Sequence, residues 1–136
     1  MNENFWDNSF ELDKLAELSI KVGVALQPGQ DLLITAPLEA APLVRRLTFH
    51  AYKQGCGIVT PLYTDPEVTL LRYKNASKES FDKSTDWLFD AMGAAFDQNT
   101  ARLAVVGEDP MLLSGPVSYT HLRAHETKAN IGCRLL

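Results

Sequence analysis

The stretch Lys21–Gly55, KVGVALQPGQDLLITAPLEAAPLVRRLTFHAYKQG, decides the fold. A helix ends before Gln27, and Pro28-Gly29 reverses the chain, because proline pre-sets φ near −65° and glycine tolerates positive φ. Asp31-Leu-Leu-Ile-Thr-Ala36 is a short continuous apolar run, the signature of a strand covered on both faces. Pro42 opens a second helix that Gly55 closes. The turn between strand and helix, Ala36-Pro-Leu-Glu-Ala-Ala-Pro42, contains no glycine.

Outward from this unit, strands and helices continue to alternate. Asn8 and Glu11 have capping-box spacing. Leu12, Leu15, Leu18, Val22 and Leu26 recur at three- and four-residue steps, which predicts one buried stripe with Lys14, Glu17 and Lys21 on the other face. In the helix from about Ala40 to Gln54 the expected core positions are Leu43, Val44, Leu47 and Ala51, with Arg45, Arg46 and Lys53 solvated. Gly57–Tyr63 reads as a second strand, placed at an edge because Pro61 lacks a ladder donor. Asp65-Pro66 starts a short helix carrying Val68, Leu70 and Leu71, and 75–80 reads as a loop. A helix from about Thr85 to Gln98 turns Leu88, Ala91, Met92 and Ala95 inward, with Trp87, Phe89 and Phe96 as packing residues. Arg102–Val106 is a third strand, Gly107–Pro110 its turn, and Met111–Leu113 the start of another helix. The predicted class is α/β, a three-layer arrangement of a short, mostly parallel and truncated sheet with flanking helices.

At 136 residues the chain has room for one domain, and 46% hydrophobic with 22% charged residues is an ordinary globular composition. The net charge of −4 argues against nucleic acid or an anionic membrane as partner. No apolar run approaches the roughly 20 residues of a bilayer span. With no signal-peptide pattern at the N-terminus, and with Cys56 and Cys133 forming neither CxxC nor a disulfide framework, the expected compartment is the cytoplasm.

The last twenty residues differ in composition. Val117-Ser-Tyr-Thr-His-Leu-Arg-Ala-His-Glu-Thr127 resembles the translation of a transposase-type sequencing adapter. Cys133-Arg-Leu-Leu136 fits the flow-cell sequence that follows such an adapter, whereas Ile131 and Gly132 each depart from it by one base change. The expectation is an authentic α/β domain over 1–116 and a non-native, disordered or irregular tail over 117–136. His121 and His125, one helical turn apart beside Glu126, would make a zinc half-site, but they supply only two ligands and the adapter reading accounts for both.

Residues 1–116 carry 10 Lys and Arg against 16 Asp and Glu, a net charge of −6, and hold His50 and Cys56 as their only histidine and cysteine. A mononuclear zinc site draws on three or four ligands, usually including His or Cys. An all-carboxylate site stays open only as an alternative, because the acidic residues are spread along helix faces, so none is predicted. His50 reads as a structural histidine at the edge of a buried stripe, and Cys56 as a small core residue. A dinucleotide site would place G-x-G-x-x-G after the first strand, where this chain has Glu39. Glu39 reads most simply as a partner of the helix dipole, with a contact to a substrate amine as the less favoured alternative. Glu108-Asp109, at the equivalent edge of the third strand, could ligate a metal but reads more simply as a helix start. No catalytic, cofactor-binding or metal residue is assigned within the chain.

The order helix, QPGQDLLITAP, LEAAPLVRRL, AYKQG, then Leu62-Tyr-Thr-Asp-Pro-Glu67, Trp87-Leu88 and Arg102-Leu-Ala-Val-Val-Gly-Glu-Asp-Pro110 resembles the N-terminal domain of aminopeptidase T/aminopeptidase S type metallopeptidases. Pro61 and the weakly basic Leu70–Tyr73 depart from the pattern. The resemblance implies a cytosolic, dimeric exopeptidase that removes N-terminal residues from a peptide substrate. It uses a pair of divalent ions (zinc, cobalt or magnesium) that activate a shared water. It also implies that the Glu, His and Asp ligands and the active-site Tyr lie in a C-terminal domain beyond this chain, so none is expected here. The alternative is a free-standing, non-catalytic α/β binding or interaction module.

Overall fold

The computed structural model describes residues 9–107 and, for the backbone alone, 131–134. Helix α1 (Ser9–Leu18) runs into a π-helical turn (Ser19–Val24) that stops at Ala25, in the left-handed region at φ 54°. Strand β1 (Leu32–Pro37) leads through a 3-10 turn (Leu38–Ala40) into α2 (Ala41–Lys53). Then follow β2 (Val59–Thr64), α3 (Pro66–Asn75), a 3-10 turn (Lys78–Asp82), α4 (Asp86–Asp97), β3 (Ala101–Val105) and β4 (Ile131–Arg134).

Local chemistry explains these boundaries. Gly29 sits at φ 80° and the Gln30 N–H donates to the Gln27 carbonyl at 3.0 Å, a type II turn with proline and glycine where that turn requires them. Gly55, at φ 93°, ends α2 in a Schellman motif: the Cys56 N–H donates to the Ala51 carbonyl and the Gly55 N–H to the Tyr52 carbonyl, both at 3.0 Å. Asn99 ends α4 the same way at φ 69°, with the Thr100 and Asn99 N–H groups on the Ala95 and Phe96 carbonyls. Asp65 caps α3, its Oδ1 accepting from the Glu67 N–H at 3.0 Å ahead of Pro66.

The sheet order is β2-β1-β3-β4, with β1 parallel to both β2 and β3 and Pro61 on an edge strand. β4 pairs antiparallel to β3, Val105 opposite Ile131 and Arg102 opposite Arg134. Four residues of the tail expected to be irregular are therefore a strand, because the outer edge of β3 offers unpaired backbone groups to any extended segment within reach.

The core lies on one face of the sheet. Leu32, Ile34 and Ala36 of β1 and Ala101, Leu103 and Val105 of β3 meet Leu43, Val44, Leu47 and Ala51 of α2, the four positions expected. On the first helix the expected stripe needs correction: Leu12 and Leu26 are buried, but Leu15, Leu18 and Val22 are exposed, and Ala16, Ile20 and Val24 take the places between. Steps of four overshoot a 3.6-residue turn, and the wider π turn offsets that drift, so Leu12, Ala16, Ile20 and Val24 stay aimed at the sheet.

On the opposite face stands α4. Leu88, Ala91, Met92 and Ala95 do face the sheet, yet no residue of α3 or α4 is buried. Trp87 (71% exposed) and Phe89 (60%) lie in solvent, which corrects the expectation that they pack. Among the described residues, no helix is long and apolar enough to cross a membrane.

Candidate functional site

β1 lies between β2 and β3, and the chain leaves it toward α2 on one face and reaches β3 from α4 on the other. Such a switch point opens a crevice beyond the carboxyl ends of β1 and β3, where open α/β sheets bind ligands. On the β1 side the backbone stays extended through Pro37 (φ −70°, ψ 156°), and Leu38 and Glu39 are exposed in the 3-10 turn before α2. Pro42, in the first turn of α2, removes one of the N–H groups a helix start would present. The turn thus offers a carboxylate and an apolar side chain where a phosphate would need positive potential and close backbone. On the β3 side the description ends at Gly107. Glu108, Asp109, the expected helix at 111–113, and His121, His125 and Glu126 lie outside the described residues.

His50 joins two helices. Its Nε2 is 3.0 Å from Asp13 Oδ1, its side chain is 11% exposed, and its ring meets Phe49 edge-on. It ties α2 to α1, as a structural histidine should. Cys56 is half-buried against the core, and burial, then the nearby Asp31 carboxylate, raises its thiol pKa above the ordinary value. A thiol held protonated in this way is a poor nucleophile.

Two residues that sequence reasoning passed over emerge from the geometry. Asp31 binds the starts of all three parallel strands: its Oδ1 accepts from the Ile58 N–H at 2.9 Å, and its carbonyl accepts from the Ala101 N–H at 2.9 Å. A Cβ at Gly57 would collide with that carboxylate. An Asp directly before an apolar run was the available signal. Arg102 stands opposite Leu33 on the face away from the core, and its Nε is buried with no hydrogen-bond partner among the described residues. No periodicity rule flags a charged residue in a half-covered strand.

Among the described residues, no three of His, Cys, Asp and Glu converge where one ion could be held. Since a catalytic divalent ion takes about three protein ligands, the described residues do not fit such a centre. The described residues do form an apolar groove of about 320 Å³ between α4 and the sheet, lined by Leu33, Thr60 and Leu62 on one side and Leu88, Met92 and Ala95 on the other.

Comparison with known proteins gives this geometry a context. The profile of the thermophilic metalloprotease (M29) family matches residues 8–131. The chain is 45% identical over 104 residues to aminopeptidase T of Thermus thermophilus, a match that takes in 76% of this chain and 26% of the relative. It is 41% identical over 110 residues to aminopeptidase 2 of Geobacillus stearothermophilus, taking in 81% of this chain and 26% of the relative. In solved structures it is similar to wild-type AmpT from Thermus thermophilus, with a TM-score of 0.74 and 42% identity over 87% of this chain and 30% of that one. The chain thus spans about a quarter of the length of the curated relatives it matches.

Proposed function

This chain belongs to the thermophilic metalloprotease (M29) family, and on that premise we propose that it is the N-terminal part of a metal-dependent aminopeptidase that releases N-terminal amino acids from peptides. The observation that carries the reading is the 45% identity to an aminopeptidase over most of this chain but only 26% of the relative. Divalent ions, with zinc, cobalt and magnesium as candidates, are held by polypeptide outside residues 1–116. The whole enzyme is a cytoplasmic homodimer, and this chain by itself is catalytically silent. The described residues support that division of labour with a histidine committed to Asp13 and a cysteine whose thiol is held protonated.

The test is hydrolysis of aminoacyl chromogenic substrates by the purified chain with each of the three ions. Turnover no greater than a protein-free blank is expected, and robust metal-dependent turnover would refute the silent-fragment reading. We also propose that family sequence ends near Pro116 and that 117–136 is translated adapter. The family profile runs on to residue 131, so the genomic locus is the deciding observation. A native frame that leaves this sequence after Pro116 and continues into a Glu-, His- and Asp-rich region supports both proposals. A nearby native stop favours the interaction module.

A further inference from the structure

The sheet face beneath α4 is only partly covered. From Pro66 to Asp97 no side chain is buried, although this span holds Val68, Leu71, Tyr73, Trp87 and Phe89, each between 58% and 71% exposed. Its helices are nonetheless well formed, with an Asp cap on α3 and a Schellman stop on α4. Apolar patches of this kind mark interaction surfaces. The groove of about 320 Å³ under α4 is continuous with Leu33 and Leu62 of the sheet. Arg102 lies on the same side of the sheet and holds a buried Nε–H that nothing among the described residues satisfies, and a buried donor is costly until an acceptor arrives. The outer side of α2 also exposes Phe49 and Tyr52, but there Lys53 stands over the Phe49 ring and the Tyr52 hydroxyl accepts from the Val59 N–H.

The length of the relatives decides what arrives. A solved relative with this fold has about 70% of its chain beyond the part that matches, since the match takes in 30% of it. We propose that the α4 face, with the groove beneath it and the Arg102 guanidinium, is the seat of the remaining polypeptide of an M29 enzyme. That polypeptide inserts apolar side chains against Leu62 and Met92 and brings a carboxylate or carbonyl oxygen to Arg102. This rests on the reading of the chain as one part of such an enzyme.

The experiment co-expresses the full 136-residue chain with Thermus thermophilus aminopeptidase T from which the segment aligned with this chain has been deleted. A 1:1 complex is expected to co-purify. Met92→Asp or Leu62→Asp should lower its yield at least tenfold, Arg102→Gln should lower it several-fold, and Arg45→Ala on the far face should leave it unchanged. Hydrogen exchange at β1 in each variant, unchanged from the parent, shows that the domain itself has folded. Absence of a complex overturns the proposal, as does a complex indifferent to Met92→Asp and Leu62→Asp. So does a chain that, alone in sedimentation equilibrium, forms a dimer abolished by Met92→Asp, which would make a second copy the occupant. A complex that forms and does not hydrolyse peptides leaves the docking surface standing and counts against the aminopeptidase reading alone.

Discussion

The two faces of this sheet were built by the same local rules and have reached different ends. On one, α1, the π turn and α2 bury Leu12, Ile20, Val24, Leu43 and Leu47 against β1 and β3. On the other, α3 has an Asp cap and α4 a Schellman stop, yet neither helix contributes a buried residue. Helix boundaries are written by residues a few positions apart and need no tertiary partner, whereas burial needs a second surface of the right shape. A helix can therefore be fully legible in sequence and energetically unfinished in the fold. The difference is testable at single residues.

The largest contrast is expected from truncations on the two faces. Leu47 is fully buried in the core, so Leu47→Ala removes its packing and leaves a cavity, a loss of roughly 2–5 kcal/mol. Trp87→Ala deletes a larger side chain that is 71% exposed, and its effect should lie within about 0.5 kcal/mol of zero. Urea unfolding of both variants measures this directly. A Trp87→Ala loss comparable to that of Leu47→Ala would mean that α4 is packed in solution and that the two faces are alike.

Second in size is the junction where the strands begin. Gly57→Ala would drive a Cβ into the Asp31 carboxylate and dislodge the acceptor of the Ile58 N–H. A cost of roughly 1–3 kcal/mol follows from the overpacking and the lost hydrogen bond. If the double variant with Asp31→Ala recovers much of the loss, the collision is the cause. No recovery would place the strain elsewhere. This junction belongs to the packed half, and the whole sheet should feel it.

Much of the packed half was readable beforehand, and the reasons are local. Pro28-Gly29 set a type II turn, Gly55 a Schellman stop, and the 3.6-residue period picked out Leu43, Val44, Leu47 and Ala51, while in the unpacked half Asp65-Pro66 set a helix start. The first helix was misphased because its sequence holds two apolar rows, and only the sheet's position selects Ala16 and Ile20 over Leu15 and Leu18. Trp87 and Phe89 misled for a related reason: an apolar side chain signals a partner but not whether that partner lies in the same chain. At the candidate site, the glycine-free turn after β1 and the structural role of His50 could be read from residue type alone. Asp31 signals itself only by standing directly before an apolar run, and Arg102 not at all, since their importance comes from Gly57 and Leu33, residues brought to them by the fold.

A third expectation separates local from global stability. Asp65→Ala deletes the α3 cap, a loss of roughly 0.5–2 kcal/mol to the helix. Because α3 buries nothing, that loss should appear as faster amide exchange within α3, with β1 and α2 unchanged, and with little movement of the global urea midpoint. A midpoint shift of the full magnitude would show that α3 unfolds only together with the core.

The smallest effect is expected on the solvent side of α1, which belongs to the packed half yet is as wet as α3. Lys21 Nζ donates to Glu17 Oε2 at 2.9 Å, one helical turn away, and this bond, then the charge of the same ammonium, lowers the Glu17 pKa below its ordinary value. A carboxyl whose pKa is lower in the folded state than in the unfolded one stabilises the fold above the unfolded value, about 4.3 for Glu, and that contribution is lost as pH falls through the folded value. Both partners are open to solvent, so the gain is at the limit of measurement and should fade in about 1 M salt, where screening acts within roughly 3 Å. Comparing urea midpoints of the parent and Lys21→Met should therefore give a barely detectable deficit near pH 7, and none near pH 2 or in high salt. A deficit at neutral pH that survives high salt would mean the pair is shielded from water. In that case the outer face of α1, with Leu15, Leu18 and Val22, would be a second covered surface, and the contrast between the two sides of the sheet would extend to a third.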